Sequence, residues 1–230
     1  MSSPRFEDKL INKEMDKLKN HIRLKVFTNF ITDENGKKRR NCINCNKVLS
    51  ILNKLEKASL GKLMVEEIST KEHPVETRKY NIKNIPTIIF SKDNNKELIK
   101  YTASLNGNQL IPFIKSIQYY SGISPFYKDQ IMTNLNHINK SEITLFITQT
   151  CSFCPQVIPI VNSFALISNG KIKAEIIDIE ANPDIAIKYN ITGVPDTMIN
   201  KKEHIYGAFT PQDLLEKLTR GKRDFSGMYS

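Results

Sequence analysis

Four cysteines carry the strongest chemical signal in this sequence of 230 residues, because they form two Cys-X-X-Cys pairs with none left over. The pairs are Cys42–Cys45 and Cys151–Cys154. Two cysteines at positions i and i+3 of a first helical turn have Cα atoms about 5.5 Å apart, a separation at which a disulfide can close. Each pair is therefore predicted to cycle between a dithiol and a disulfide.

The two cysteines of a pair are expected to have different roles. Cys42 and Cys151 come first, where unpaired N–H groups and the positive end of a helix dipole favour the thiolate and lower the pKa of the thiol. We expect these two to attack a disulfide and form a mixed disulfide. Cys45 and Cys154 lie further along the helix and are expected to resolve it.

A proline stands 44 positions after the first cysteine of each pair, at Pro86 and Pro195. Both prolines open apolar stretches that are predicted to be strands passing close to the cysteines. A cis X–Pro bond there would present the backbone of Ile85 or Val194 to an extended peptide, which would bind like an added strand. These four residues are the predicted substrate-binding surface.

The two pairs belong to a duplicated sequence. The first cysteines, the second cysteines and the two prolines are each separated by 109 positions, and a Lys-Tyr-Asn-Ile tetrapeptide recurs at the same offset. An internal repeat of this length indicates two domains of one fold. We place them at residues 1–122 and 123–230, with the join near Ser121-Gly122, where the apolar pattern is interrupted.

Both halves show the same order of helices and strands, judged from apolar periodicity and from glycine and proline positions. Each cysteine pair lies where a strand passes into a helix. Alternating strands and helices predict an α/β class, with two tandem domains that each have a central mixed sheet flanked by helices. The main strands are predicted at 24–28, 63–68 and 87–90 in the first half, and at 143–148, 172–179 and 197–199 in the second.

The first half contains an insertion of about ten residues, Phe30–Arg40, between its first strand and its cysteines. The segment is polar and basic, and we expect an exposed loop beside the site. If Arg39 and Arg40 lie close to Cys42, they would make it the more acidic of the two attacking thiols. The last ten residues, Gly221–Ser230, are expected to form a loose tail.

The second half resembles the thioredoxin superfamily. Its segment TCSFCPQVIPIV is similar to the active-site helix of that family, including Pro159, and ITGVPDTMI is similar to the cis-proline loop. Gly207 matches the glycine that borders the substrate groove. The first half departs from the pattern, with Ser50 in place of Pro159 and Ala103 in place of Gly207. The tandem layout resembles the protein disulfide oxidoreductases of thermophilic prokaryotes, also called glutaredoxin-like proteins.

The resemblance implies a thiol–disulfide oxidoreductase that reduces, forms or isomerises disulfides in protein substrates and needs no bound cofactor. Electrons would arrive from an NADPH-dependent thioredoxin reductase, and a peroxiredoxin is a candidate client. Because the second half keeps the proline and the glycine of the family, we expect Cys151–Cys154 to carry most of the peptide-disulfide chemistry. Cys42–Cys45 is then expected to be a relay for electrons, a specialised redox site or a site that is losing its activity.

Two other interpretations of the cysteines remain open. A structural zinc site would need all four thiolates to converge, although the pairs lie 106 positions apart. A non-catalytic thioredoxin-fold protein could instead bind peptides or act as a scaffold, with both disulfides structural. The histidines lack the helical spacing of metal ligands and are interpreted as surface or turn residues; they are His21, His73, His137 and His204.

Composition limits the other functional classes. The formal charge of +10 comes from lysines dispersed along the whole chain, so nucleic acid is not predicted as a partner. No apolar run is long enough to cross a bilayer, so no membrane association is predicted either. In the absence of a secretory apolar segment behind the polar start, we expect a cytoplasmic protein, a compartment where paired cysteines are more often redox-active than structural.

Overall fold

The computed structural model of the chain describes residues 4–92 and 96–222. The predicted order of elements is present in both halves. In the first half the helices are α1 (Pro4–Met15), α2 (Cys45–Ala58), α3 (Pro74–Lys79) and α4 (Leu110–Tyr120). Its strands are β1 (Ile22–Thr28), β2 (Phe30–Thr32), β3 (Lys38–Arg40), β4 (Leu63–Ser69), β5 (Thr87–Lys92) and β6 (Lys96–Thr102).

The second half repeats this order without the insertion. Its helices are α5 (Lys128–Thr133), α6 (Cys154–Ile167), α7 (Pro183–Lys188) and α8 (Pro211–Thr219). Its strands are β7 (Ser141–Ile147), β8 (Ile172–Asp178), β9 (Asp196–Ile199) and β10 (Glu203–Tyr206).

The strands of the two halves form one mixed sheet of eight strands, in the order β10-β9-β7-β8-β6-β5-β1-β4. The predicted class is thus confirmed, but the halves share a sheet that their sequences do not reveal. The join is the parallel pair β6 and β8, in which Tyr101 lies opposite Ile176. Within the described residues, β4 and β10 are the edges of this sheet.

Helices cover the two faces of the sheet unequally. Along β5, Ile88 and Phe90 belong to the large core, whereas Ile89 between them belongs to a small cluster on the opposite face. The large core includes side chains from α1, α2, α4, α6 and α8. On the other face, the short helices α3 and α7 each stand beside a small apolar cluster. Both cysteine helices therefore lie on the same, well-covered face.

The two halves also meet through polar side chains in the core. Asn162 of α6 donates hydrogen bonds from Nδ2 to the hydroxyl oxygens of Tyr101 and Ser116, both at 2.7 Å. Burial raises the pKa of the Tyr101 phenol, and its hydrogen bonds with Ser116 and Asn162 only partly oppose that rise. Tyr101 is therefore a neutral, fully satisfied residue at the junction between the halves.

Helices α2 and α6 form because their apolar residues recur at helical spacing on one face. Val48, Leu52 and Leu55 are at most 1% exposed, as the sequence predicts, and so is the matching stripe of α6. The first helix of each half is shorter than its apolar pattern. Leu18 and Ile138 are buried at 2% exposure, but they lie in irregular segments beyond the ends of α1 and α5.

The insertion in the first half is a β-hairpin, so the prediction of a loop was wrong. Strands β2 and β3 pair antiparallel, with Ile31 opposite Arg39. The turn between them is closed by Asp33, whose Oδ1 accepts hydrogen bonds from the N–H groups of Asn35 and Lys37. Gly36 has a φ of +76°, which an asparagine-glycine turn provides at little cost. The local turn chemistry therefore orders a polar segment.

Two sequence predictions concern the ends of the chain and the membrane. The expected loose tail at 221–230 lies almost entirely outside the described residues. Among the helices that the structure describes, none is long and apolar enough to cross a membrane.

Candidate active site

Each cysteine pair forms a disulfide at the start of a helix. The Cα atoms are 5.5 Å apart in Cys42–Cys45 and 5.6 Å apart in Cys151–Cys154, within the range that a disulfide accepts. The helices begin at the second cysteine, and the first cysteine lies in the preceding turn rather than in the first helical turn. We call Cys42–Cys45 the N-terminal site and Cys151–Cys154 the C-terminal site.

Burial separates the two sulfurs of each pair. Cys45 and Cys154 are completely buried. Cys42 and Cys151 are partly exposed, so an incoming disulfide can reach only the first cysteine of each pair. The arrangement agrees with the predicted roles of attacking and resolving thiol.

The residues between the cysteines lie at the exposed tip of each site. Ile43 is 95% exposed and Phe153 is 58% exposed, and both are large apolar side chains. Exposed apolar side chains beside a reactive sulfur provide contact area for a partner. One tip is aliphatic and the other is aromatic, so the two sites offer different surfaces.

The helix N-terminus is used differently at the two sites. In the C-terminal site the N–H of Cys154 donates a hydrogen bond to Sγ of Cys151 at 3.0 Å. In the N-terminal site the N–H of Cys45 instead faces the carbonyl oxygen of Cys42, at 3.4 Å. A donor aimed at sulfur stabilises negative charge on it. The structure therefore favours Cys151 as the better stabilised thiolate.

The basic hairpin is held to strand β4 by an ion pair. Nε and Nη2 of Arg40 donate to the two carboxylate oxygens of Glu67, at 2.7 and 2.6 Å. Burial alone would raise the pKa of Glu67, but the hydrogen bonds from Arg40 and Thr28, with the positive charge of Arg40, hold it below its usual value. Because Arg40 is engaged in this pair, the structure gives no support to its predicted effect on Cys42.

Both predicted cis bonds are present, at Ile85-Pro86 and Val194-Pro195. The prolines are buried and immediately precede β5 and β9, while Ile85 and Val194 are partly exposed. Val194 packs against the core cluster that contains Cys154. The four residues predicted to bind substrate thus lie on the loops that lead into these strands.

Gly207 borders an open surface at the C-terminal site. Its N–H donates to the carbonyl oxygen of Pro195 at 2.9 Å, which ties it to the cis-proline loop. Its φ is +77°, and a Cβ added there would have no atom within 4 Å. The conformation favours glycine, and the space beside it is free.

Ala103, the counterpart of Gly207 at the N-terminal site, is in a closed environment. It is 4% exposed and borders a cavity of only about 20 Å³ beside Pro86. The same cavity is lined by Asn44, from between the first pair of cysteines, and by Ala181 and Asn182 of the second half. The two cis-proline surfaces therefore differ in access.

Sequence reasoning missed two segments that touch the opposite site. Ala181 and Asn182 reach the N-terminal site, where they line the cavity beside Pro86. The segment Gly107–Gln109 of the first half reaches the C-terminal site, where Asn108 Nδ2 donates to the carbonyl oxygen of Cys151 at 3.3 Å. The Asn-Gly-Asn-Gln run at 106–109 was the one sequence signal, because such runs mark turns with specific backbone geometry.

The zinc interpretation is not supported by the arrangement of the ligands. The four cysteines form two separate disulfides. Over residues 4–92 and 96–222, no three side chains of the types that ligate metals come together. His204 instead contacts a carboxylate, with Nδ1 at 2.8 Å from Oδ1 of Asp196.

Comparison with known proteins decides the family. The "Thioredoxin" family model matches residues 39–116, and the "Thioredoxin domain" model matches residues 141–220. Thioredoxin from Methanocaldococcus jannaschii is 30% identical over 83 residues, which are 36% of this chain and 98% of that protein. The chain belongs to the thioredoxin family. Each matched thioredoxin segment contains one cysteine pair and one cis-proline.

Longer relatives match over most of this chain. The F subunit of alkyl hydroperoxide reductase in Staphylococcus aureus is 26% identical over 164 residues, which are 71% of this chain and 32% of that protein. This chain therefore spans about a third of the length of those relatives.

Two solved structures share the tandem fold. The F subunit of the Enterococcus faecalis alkylhydroperoxide reductase superposes with a TM-score of 0.79 at 21% identity, covering 95% of this chain and 100% of the other. A protein disulfide oxidoreductase from Aeropyrum pernix gives a TM-score of 0.78 at 19% identity, covering 96% and 95%. The predicted resemblance to tandem thioredoxin-fold proteins is confirmed. The matches to the thioredoxin family models, together with the two CxxC disulfides, confirm the prediction of a redox protein.

Proposed function

We propose that this protein is a thiol–disulfide oxidoreductase acting on protein substrates, with the C-terminal site as the main centre of exchange. The observation that carries the proposal is a partly exposed Cys151 with a buried Cys154 behind it, in the half where the cis-proline loop is hydrogen-bonded to the exposed Gly207. These groups meet the needs of disulfide exchange: a reachable sulfur, a second thiol behind it and a surface for an extended chain.

The exchange proceeds in two balanced steps. The thiolate of Cys151 attacks a substrate disulfide, forms a mixed disulfide and releases the first substrate sulfur as a thiolate. The thiol of Cys154 then loses its proton and attacks Cys151, which closes the protein disulfide and releases the second substrate sulfur. Two electrons pass from the protein to the substrate, and the reverse sequence oxidises a substrate dithiol. Isomerisation follows when the first released thiol attacks another disulfide of the substrate and the thiol freed there attacks the mixed disulfide, which releases Cys151 as a thiolate.

The source of electrons and the client are proposed from chemistry and from the relatives. Regeneration of the dithiol requires an external two-electron donor, for which we propose an NADPH-dependent thioredoxin reductase. The longer relatives belong to alkyl hydroperoxide reductases, which supports a peroxiredoxin as one client. We propose the cytoplasm as the compartment, because its reducing conditions would keep such dithiols available.

We keep the predicted domain division as part of the proposal. Helix α4 ends at Tyr120 and α5 begins at Lys128, so a boundary between residues 122 and 123 falls in the connecting segment. On this division each domain contains its own cysteine pair and its own cis-proline.

An insulin precipitation assay tests the function. With dithiothreitol as the electron donor, the wild-type chain is expected to accelerate the reduction of insulin, and a protein carrying both Cys42→Ser and Cys151→Ser is expected to have no effect. A Ser152→Ala variant, changed at the tip but not at a sulfur, is the matched control and should retain activity. Equal rates with and without the wild-type protein would overturn the proposal.

A further inference from the structure

The surfaces beside the two cis-prolines differ in exposure although their sequences are repeats. At the C-terminal site, Tyr206 is 74% exposed, and Gly207 and the residue after it are also exposed. At the N-terminal site the matching residues Thr102, Ala103 and Ser104 are each 4% exposed. The strand end beside the cis-proline is therefore exposed in the second half and covered in the first.

Ala181 and Asn182 form the cover over the N-terminal site, and they lie there because the two halves share one sheet. Strand β6 of the first half pairs in parallel with β8 of the second half, and β8 leads into Ala181 and Asn182. Parallel pairing carries these two residues past the end of β6 and onto the N-terminal site. The counterpart of β6 is β10, which lies at an edge of the described sheet and has only β9 beside it. The same geometry therefore leaves the C-terminal site open.

Hydrogen bonds fix the cover in place. Asn182 donates from Nδ2 to the carbonyl oxygen of Thr102 at 3.2 Å and accepts at Oδ1 from Nδ2 of Asn84 at 3.0 Å. The N–H of Ser104 lies 3.4 Å from Oδ2 of the buried Asp178. The backbone groups of Thr102 and Ser104, on the strand end beside Pro86, are thus already paired with the second half.

The space left beside Pro86 is too small for a peptide. The cavity between Pro86 and Asn182 measures about 20 Å³, which is close to the volume that one water needs. Cys42 nevertheless stays partly exposed, and its neighbour Ile43 is 95% exposed. A compact disulfide can reach the sulfur from solvent without using the cis-proline surface.

We propose that the N-terminal site exchanges with small disulfides and is closed to polypeptide disulfides that must lie along the cis-proline surface. Ala181 and Asn182 are the specificity-determining residues, because they occupy that surface. The inference rests on the proposed function of the two cysteine pairs. In the step, the dithiol of Cys42 and Cys45 becomes a disulfide, and one small disulfide RSSR becomes two thiols RSH.

Two variants of the 230-residue chain, each with one active site, test the inference. One carries Cys151→Ser with Cys154→Ser, and the other carries Cys42→Ser with Cys45→Ser. Each is assayed with bis(2-hydroxyethyl) disulfide and with a linear peptide dimer joined by a central disulfide and labelled with a self-quenching fluorophore. The peptide-to-small-disulfide rate ratio is expected to be lower for the N-terminal site by at least about tenfold, which corresponds to about 1.4 kcal/mol.

The possible results distinguish failure of this inference from failure of the proposed oxidoreductase function. Equal rate ratios at the two sites, with both sites active, would overturn the inference and leave the oxidoreductase function standing. Failure of both proteins to reduce either disulfide would overturn the function and the inference together.

A second variant opens the covered surface. In the protein that keeps only the N-terminal site, Asn182→Ala removes the side chain bonded to Thr102 and Asn84, so the peptide rate is expected to rise while the small-disulfide rate stays constant. Asp184→Ala is the matched control, since Asp184 is exposed two residues further on and does not border this cavity. An unchanged peptide rate in Asn182→Ala would contradict the assigned role of Asn182.

Discussion

The N–H of Cys154 donates a hydrogen bond to Sγ of Cys151 at 3.0 Å, and this contact distinguishes the two redox sites. At the other site the corresponding N–H faces the carbonyl oxygen of Cys42. A hydrogen bond to sulfur is stronger when the sulfur is charged, so it favours the thiolate in the reduced protein.

In the fully reduced protein at neutral pH, Cys151 is expected to be alkylated faster than Cys42. Both sulfurs are partly exposed, so the difference comes from thiolate stabilisation rather than from access. Trace iodoacetamide followed by peptide mass spectrometry measures the two rates in one sample. In denaturant the two cysteines should react at similar rates, and faster alkylation of Cys42 in the folded protein would contradict the assignment.

Gly107→Ala is expected to slow exchange at the C-terminal site although it lies in the first half. Its φ is +59°, and an added Cβ would lie 3.1 Å from the carbonyl oxygen of Gln149, close to the reactive turn. The substitution should destabilise the protein by about 1 kcal/mol and displace the segment that contacts Cys151.

Gly36→Ala provides a matched control for that experiment. Gly36 has a φ of +76°, but an added Cβ there would meet no atom within 4 Å. A similar loss of stability, without slower reduction at Cys151, is therefore expected from Gly36→Ala. If both variants slow the C-terminal site equally, contact between Gly107 and the Gln149 turn is not the cause.

Glu67→Gln is expected to destabilise the protein at pH 7 and to have less effect in acid. The folded-state pKa of Glu67 lies below its usual value of 4.5, so its carboxylate contributes stability above that pH, and the contribution is lost as the pH falls through the lowered value. Loss of the two-point contact with Arg40 should cost about 1–2 kcal/mol at pH 7.

Urea denaturation followed by circular dichroism at pH 7 and pH 3 measures this effect. Glu66→Gln on the same strand is the control, because Glu66 and its partner Arg23 are 3.7 Å apart and both are more than a third exposed. The cost of that control change should be below about 0.5 kcal/mol. A pH-independent loss in Glu67→Gln would show that the carboxylate charge is not responsible.

Glu175→Gln is expected to have the opposite pH dependence. Glu175 lies at the β6–β8 join, where burial raises its pKa; Glu97 and Glu142 add to the rise, and Lys100 opposes it. A raised folded-state pKa means that the charged form costs stability, and this cost appears as the pH rises through that pKa. The variant should therefore be more stable than the wild type at pH 8.

Below pH 4.5, where Glu175 is protonated in both states, the two proteins should be equally stable. Thermal unfolding across this pH range provides the comparison. Glu203→Gln, at an exposed position on β10, is the matched control and should change little at any pH. A stability gain that persists at low pH would exclude relief of the buried charge as its cause.

The sequence was sufficient for the features that depend on local pattern. Val48, Leu52 and Leu55 repeat at helical spacing, and their burial follows from that spacing. The two cis-prolines follow from their matched distance to the cysteines. The chemistry of the CxxC pairs could likewise be predicted, because it resides in four consecutive residues at each site.

Features that depend on distant pairing could not be predicted. Nothing in the local pattern of β6 or β8 specifies that they pair with each other. The position of Asn182 over Pro86 therefore could not be predicted from the sequence. The hairpin was missed for a different reason: its Asn35-Gly36 turn signal was present, but the flanking strands are short and mostly polar. The ion pair of Arg40 with Glu67 also joins residues far apart in sequence.

The shared sheet has a consequence for how such a duplication can evolve. Separating the halves would uncover one long edge on β6 and another on β8, and exposed strand edges invite aggregation. Once the two copies had fused in this way, neither could be lost without harming the solubility of the other. The first copy can therefore be retained as the structural neighbour of the second while its own cysteines acquire a different substrate.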